Sequence, residues 1–188
     1  MTTDTSVSAK QPSINAPGHV LSIPDTPRSP SFPFKFQIHV ANFGPKEVSS
    51  QISLSSCPEL LRLTSLFRHA RLLSAKAIIT PFDGVVSLPI TVDLAWVSAN
   101  SPASPTDILK IYGGSSYTFG GAINSTRPIE LPLPINSVND MLKDSVSYLD
   151  TPKLLVFSPA PAKATSVTLA SPQISGEVLC SSQLLQAL

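Results

Sequence analysis

The sequence predicts an all-β fold, an eight-stranded jelly-roll β-sandwich with short helices in the inter-strand loops. Three observations carry this. Apolar residues recur with period two in one segment after another, turn signals separate those segments, and helix start signals fall only in the connections between them. A sandwich with helices in long inter-strand connections is the jelly-roll pattern.

Residues 1–31 are polar, hold five prolines, and carry Asp4, Lys10, Asp25 and Arg28, whose charges cancel. They read as a flexible N-terminal arm, ordered only where something holds it, ahead of a jelly-roll domain over 32–188. The arm's one apolar patch, with His19, Val20, Leu21 and Ile23, alternates well enough to add onto a sheet edge. The alternation then begins. Phe34, Phe36, Ile38 and Val40 make the first strand, and Val48, Ile52 and Leu54 the second. Leu73, Ala75, Ala77 and Ile79 give the third. Ile90, Val92, Leu94 and Trp96 give the clearest, with Trp96 as a core residue. Four more are expected over 115–119, 128–133, 153–158 and 166–179, the last bent at Pro172.

Three helices are expected between strands. Ser56-Cys57-Pro58-Glu59 has Ser and Glu at capping-box spacing, and Leu60, Leu63 and Phe67 then fall on one face. Ser104-Pro105-Thr106-Asp107 repeats the device for a second helix ending at Gly113. A weaker third starts at Ser137-Val138-Asn139-Asp140 and runs over Met141 to Asp144.

Charged residues make up 13% of the 188, about half the roughly 25% of an ordinary soluble domain. Few charges leave either a neutral Ser/Thr-rich surface or a surface buried against partners, and assembly is the favoured reading. A net charge of +1 argues against a chain that neutralises nucleic acid by raw charge. Cys57 and Cys180 fit no metal spacing and no disulfide framework, so they are expected to be buried thiols in a reducing compartment. The start has no basic and apolar leader pattern, and no apolar run approaches the roughly 18 residues of a membrane span. An intracellular, soluble protein is expected.

Half of the eight glycines lie in YGGSSYTFGGAIN at 112–124. A phosphate loop needs a strand, then glycines, then a helix. Here Gly113 and Gly114 follow a predicted helix and precede a strand, the reverse order. They and Gly120 and Gly121 are therefore structural turns. Neither zinc spacing nor a nucleophile elbow occurs, so no catalytic residue, metal or cofactor is expected. Arg62, Arg68, His69 and Arg71 gather along and just after the first predicted helix. They read either as a solvated helix face with cations near its C-terminus or as an RNA contact in which arginine grips phosphate.

Several blocks together are specific. Phe67-Arg68-His69-Ala70, Ala95-Trp96-Val97, Tyr112-Gly113-Gly114, Gly120-Gly121-Ala122-Ile123-Asn124, Lys143-Asp144-Ser145, and Tyr148-Leu149-Asp150-Thr151-Pro152-Lys153-Leu154-Leu155 resemble the tymovirus coat proteins. These are the shell subunits of small spherical plant RNA viruses, and the agreement runs over residues 60–158. The resemblance implies two four-stranded sheets and no enzyme activity. It also implies a T=3 icosahedral capsid of pentamers and hexamers of identical subunits, assembled in the host plant cell around one positive-sense single-stranded RNA. Polyamines would accompany that RNA, which suits a neutral arm, and the arm would be the switch between quasi-equivalent positions. The rival from another class is a cellular lectin-like β-sandwich. It would need polar and aromatic loops at one end, whereas the only Trp lies inside a strand.

Overall fold

The eight period-two segments become strands, and a ninth strand joins them, in a computed structural model that describes residues 30–44, 46–121, 127–136, 138–144, 151–161 and 166–184. Chain contacts divide the protein after Pro30, and everything below concerns the unit from Ser31 onward. The arm patch of His19, Val20, Leu21 and Ile23 lies outside the described residues.

In order, β1 is Ser31–His39, β2 Val48–Ser53, β3 Phe67–Pro81, β4 Ile90–Ser98 and β5 Ser115–Phe119. The chain continues with β6 at Ile129–Pro132, β7 at Met141–Lys143, β8 at Pro152–Ser158 and β9 at Ala170–Gln183. Among the described residues one α-helix, α1, covers Pro58–Thr64, and 3₁₀ turns cover Leu54–Ser56, Asp83–Val86 and Pro105–Lys110. One sheet has the order β1-β9-β3-β6, with β7 also on β3, and the other has the order β2-β8-β4-β5. Strands from the first half of the chain thus pair antiparallel with strands from the second: β4 with β5, β3 with β6, β2 with β8, and β1 with β9. That nesting is a long hairpin wrapped into two layers, the jelly roll.

Alternation explains the core. Ile90, Val92, Leu94 and Trp96 of β4 are buried and meet Leu154 and Val156 of β8 and Phe119 of β5. From the opposite sheet come Ala70, Leu72, Ala75, Ala77 and Ile79 of β3 with Ile174, Val178 and Cys180 of β9. The Trp96 indole Nε1–H donates to the Leu131 carbonyl of β6 at 3.2 Å, so this side chain ties one sheet to the other. A second, smaller apolar cluster lies on the far side of β4 and β8. There Ile108, from the 3₁₀ turn at Pro105–Lys110, covers Ala95, Val97 and Leu155.

Several expectations need correction. The first predicted helix stops at Thr64, and Phe67 begins β3 instead of completing a helical face. Ser56 does not cap it, because its Oγ donates back to the Ser53 carbonyl at 3.0 Å, and Cys57 occupies the cap position before Pro58. The third strand starts at Phe67, not Leu73, and Leu73 is exposed. A register shift between Leu72 and Ser74 is the cause: the bulge leaves Leu73 and Ser74 both outside, so the buried positions pass from Ala70 and Leu72 to Ala75 and the alternation is reset. The expected third helix is β7, where Leu142 is buried and the strand pairs with Ala70 and Arg71 along the same edge of β3 that β6 uses further on. The second helix is 3₁₀ over Pro105–Lys110 and ends before Gly113. The last strand, expected over 166–179, runs over Ala170–Gln183 and keeps its pairing through Pro172, which meets Ile79 and whose carbonyl accepts from Val40 N–H at 3.1 Å.

Candidate nucleic-acid and assembly surface

The basic cluster is built on a strand, not on a helix face. Arg62 lies in the last turn of α1, whereas Arg68, His69 and Arg71 lie at the start of β3. Arg68 and Arg71 are exposed and His69 is half-buried. Pairing of β3 with β7 brings acidic side chains from the 140–144 segment to two of these four. His69 Nδ1 lies 2.8 Å from Asp144 Oδ1, and Arg71 Nε donates to Asp140 Oδ2 at 2.5 Å. Lys143 of the same segment donates through Nζ to the Thr64 carbonyl at 2.8 Å, placing a cation at the C-terminal end of α1. Exposed pairs of this kind add little stability, but they cancel charge locally. Arg62 and Arg68 are left as exposed cations with no carboxylate partner among the described residues.

Sequence reasoning misses Asp140 and Asp144 as part of this site. Asp144 is 75 positions from His69 and Asp140 is 69 from Arg71, and the segment carrying both acids resembles a helix start. The weak signal is their placement: an Asp on either side of Met141-Leu142-Lys143 flanks a three-residue strand.

The glycines stand in turns. Gly113, Gly120 and Gly121 have φ of 86°, 83° and 75°, the left-handed region that L side chains avoid. Gly114 serves close approach instead, since a Cβ there would run into the Ile108 carbonyl oxygen. The turn is made by successive i→i+3 bonds, Ile111 N–H to Ile108 O at 3.1 Å and Gly114 N–H to Ile111 O at 2.9 Å. Its entry is fixed by Asp107, whose carboxylate accepts from the Ser104 hydroxyl at 2.5 Å and from Lys110 Nζ at 2.9 Å. The Ser104 bond, then Lys110, lowers the Asp107 carboxyl to about 2.

Tyr112, at the tip of this turn, is fully exposed. A cavity of about 160 Å³ is lined by Tyr112 and Gly113 together with Trp96, Leu131, Pro132 and Pro134.

Elsewhere the chemistry is quiet. Cys57 and Cys180 are free, buried thiols, and burial pushes both up from the ordinary thiol range, which keeps them protonated and unreactive. Among the described residues no group of three or more His, Cys, Asp or Glu side chains is placed to hold a metal ion, and no helix is long and apolar enough to cross a membrane. Lys153, nearly buried on β8, is held by Gln51 Oε1 and the Ser101 carbonyl, both at 3.2 Å, so it ties β8 to β2 and to the 99–104 connection.

Comparison with known proteins places this architecture. The capsid protein of Physalis mottle virus is 50% identical over 181 residues, covering 96% of each chain. A chain of Desmodium yellow mottle tymovirus superposes with a TM-score of 0.83 at 37% identity, over 87% of this chain and 94% of that one. A chain of turnip yellow mosaic virus gives 0.82 at 31% identity, over 86% of each. The family described as "Tymovirus coat protein" matches residues 12–187, and the chain belongs to that family.

Proposed function

We propose that the protein is the shell subunit of a small icosahedral plant virus, self-assembling into a T=3 capsid around positive-sense single-stranded RNA. The observation that carries this reading is the agreement of sequence and fold together: half-identity to a capsid protein along nearly the whole chain, on a jelly roll that superposes on chains of virus particles. The low charge content supports it, because the flanks of a shell subunit face other subunits. Many modest contacts, each repeated around a closed surface, make such a shell effectively irreversible. The role is structural, without catalysis, and the virion assembled in the host plant cell is its place of action.

Of the four basic candidates, Arg62 and Arg68 are the proposed RNA contacts. Each can offer phosphate a guanidinium that no described carboxylate already holds. His69 and Arg71 instead hold the 140–144 segment against β3. Two such arginines per subunit cannot neutralise a genome, so polyamines are proposed to accompany the RNA. Residues 1–31, neutral overall, are the proposed switch between quasi-equivalent positions.

The test is expression of the full chain beside a chain starting at Phe32, with particle size read by light scattering and negative-stain electron microscopy. Uniform icosahedral particles are expected from the full chain and irregular or smaller ones from the shortened chain. A full chain that stays small at every concentration would remove the shell reading, and uniform native-size particles from the shortened chain would remove the switch.

A further inference from the structure

Tyr112 is a large aromatic side chain held wholly in solvent, and the local backbone is shaped to hold it there. Gly113 adopts φ of 86°, and Gly114 packs its backbone against the Ile108 carbonyl, so the turn projects Tyr112 away from the sandwich. The neighbouring cavity of about 160 Å³ is not filled by that ring, since Tyr112 keeps all of its exposure. Its walls are Trp96, Leu131, Pro132 and Pro134 together with Tyr112 and Gly113 of the turn itself, with no charged side chain among them. An apolar cavity of roughly 150 Å³ is the size that takes one benzene ring. The chain therefore carries on one side both an aromatic knob and a hole of matching size and polarity.

A knob beside its hole is self-complementary under a two-fold rotation. A second copy turned by 180° about an axis between the two features puts each Tyr112 over the other copy's cavity. We propose that this surface is a two-fold contact between copies of the chain, with Tyr112 of each entering the Trp96–Leu131–Pro132–Pro134 cavity of the other. This deepens the shell reading and rests on it, because a shell requires contacts between identical copies. A second copy is the favoured occupant because the family is one of coat proteins and solved relatives come from virus particles. A central aromatic seated in a desolvated pocket is also the usual form of an interface hot spot.

Trp96 is the only tryptophan and forms one wall of the cavity, so its fluorescence reports on whether the cavity is covered. The experiment uses the full chain, Tyr112→Ser, Tyr112→Phe, and Pro134→Trp on a Trp96→Phe background as a pocket-blocking variant. Sedimentation velocity gives the concentration at which subunits associate, and acrylamide quenching gives the access to Trp96. Circular dichroism checks that each variant is folded. In the full chain, quenching of Trp96 is expected to fall on association. Tyr112→Ser and the blocked variant are expected to need about tenfold or more higher concentration to associate, while Tyr112→Phe behaves as the parent. If the parent associates and Tyr112→Ser does so at the same concentration with Trp96 equally shielded, the two-fold contact is overturned and the shell stands. If the parent never associates, both fall together.

Discussion

Truncating Trp96 to alanine removes the side chain on which the two sheets most visibly depend. The ring is about 5% exposed and packs with Ile90, Val92 and Leu94 of its own strand, while its Nε1–H reaches Leu131 in the facing sheet. Removing a buried aromatic costs roughly 3–5 kcal/mol, and loss of the bond to the Leu131 carbonyl adds about 1 kcal/mol. Against a typical total of about 5–15 kcal/mol, that is a large part of the stability of an isolated subunit. With a urea slope of about 2 kcal/mol per molar, the midpoint is expected to fall by roughly 2–3 M, or the subunit to be unfolded outright. Far-UV circular dichroism must follow the transition, because the variant contains no tryptophan. Trp96→Phe separates the two contributions: it keeps an aromatic in the core, loses the hydrogen bond, and is expected to shift the midpoint by about 1 M or less. A Trp96→Ala subunit melting within about 0.5 M of the parent would show that the two sheets are not joined through this residue.

The Asp107 carboxyl should titrate at about 2, below its ordinary 3.8, with the Ser104 hydroxyl as the main cause. Its lowered value means that the contribution to the 105–110 turn is fully present above the ordinary carboxylate range and is lost as pH falls from about 4 toward about 2. Carboxyl-carbon NMR should show the midpoint rising in Ser104→Ala, and an unmoved midpoint would sink the assignment of cause. For the proposed RNA contacts, Arg62→Gln with Arg68→Gln should leave particles intact while lowering the RNA they retain in salt washes. The logarithmic salt slope should become shallower by about 0.7 for each phosphate that an arginine no longer neutralises. RNA content equal to the parent at every salt concentration would make the pair ordinary solvated arginines.

Where one face of a strand is buried, the sequence shows it: β5 is legible at both ends, and β4 on its face of Ile90, Val92, Leu94 and Trp96, while its other face, buried at Ala95 and Val97, reads as polar. Ile90 and Val92 face Phe119 and Tyr117 across a ladder with no irregularity. Legibility fails wherever a backbone event resets the pattern. The bulge at Leu72–Ser74 leaves Leu73 and Ser74 both outside, so the alternation of Ala75, Ala77 and Ile79 is out of step with Ala70 and Leu72 and looks like the beginning of the strand when it is the middle. Short apolar runs fail for a different reason. Met141-Leu142-Lys143 has no period of its own, and only the open edge of β3 beyond β6 makes it a strand. Caps can be read only by residue type, and the two capping candidates part on geometry. Ser104 meets Asp107, whereas Ser56 turns back to the Ser53 carbonyl.

The basic cluster shows why charge read along a chain overstates a site. Four cationic or titratable side chains close together in sequence look like a phosphate grip only while their surroundings are unknown. Antiparallel pairing of β3 with β7 delivers Asp140 and Asp144 to the same place, and two of the four are then paired. The same pairing lets Lys143 reach back to the end of α1, so a three-residue strand links the helix, the long strand and the acidic side chains. Charge in this cluster is thus half compensated within the subunit, which leaves Arg62 and Arg68, while elsewhere the subunit offers a partner an apolar feature: a tyrosine in solvent beside a tryptophan-walled cavity. For a chain with so few charged residues, contact between copies through rings and aliphatic surface follows more directly from its physical chemistry than contact through ion pairs. If that ordering is right, association of subunits should weaken far less on raising salt than on changing Tyr112, since screening acts on charges and leaves apolar burial intact.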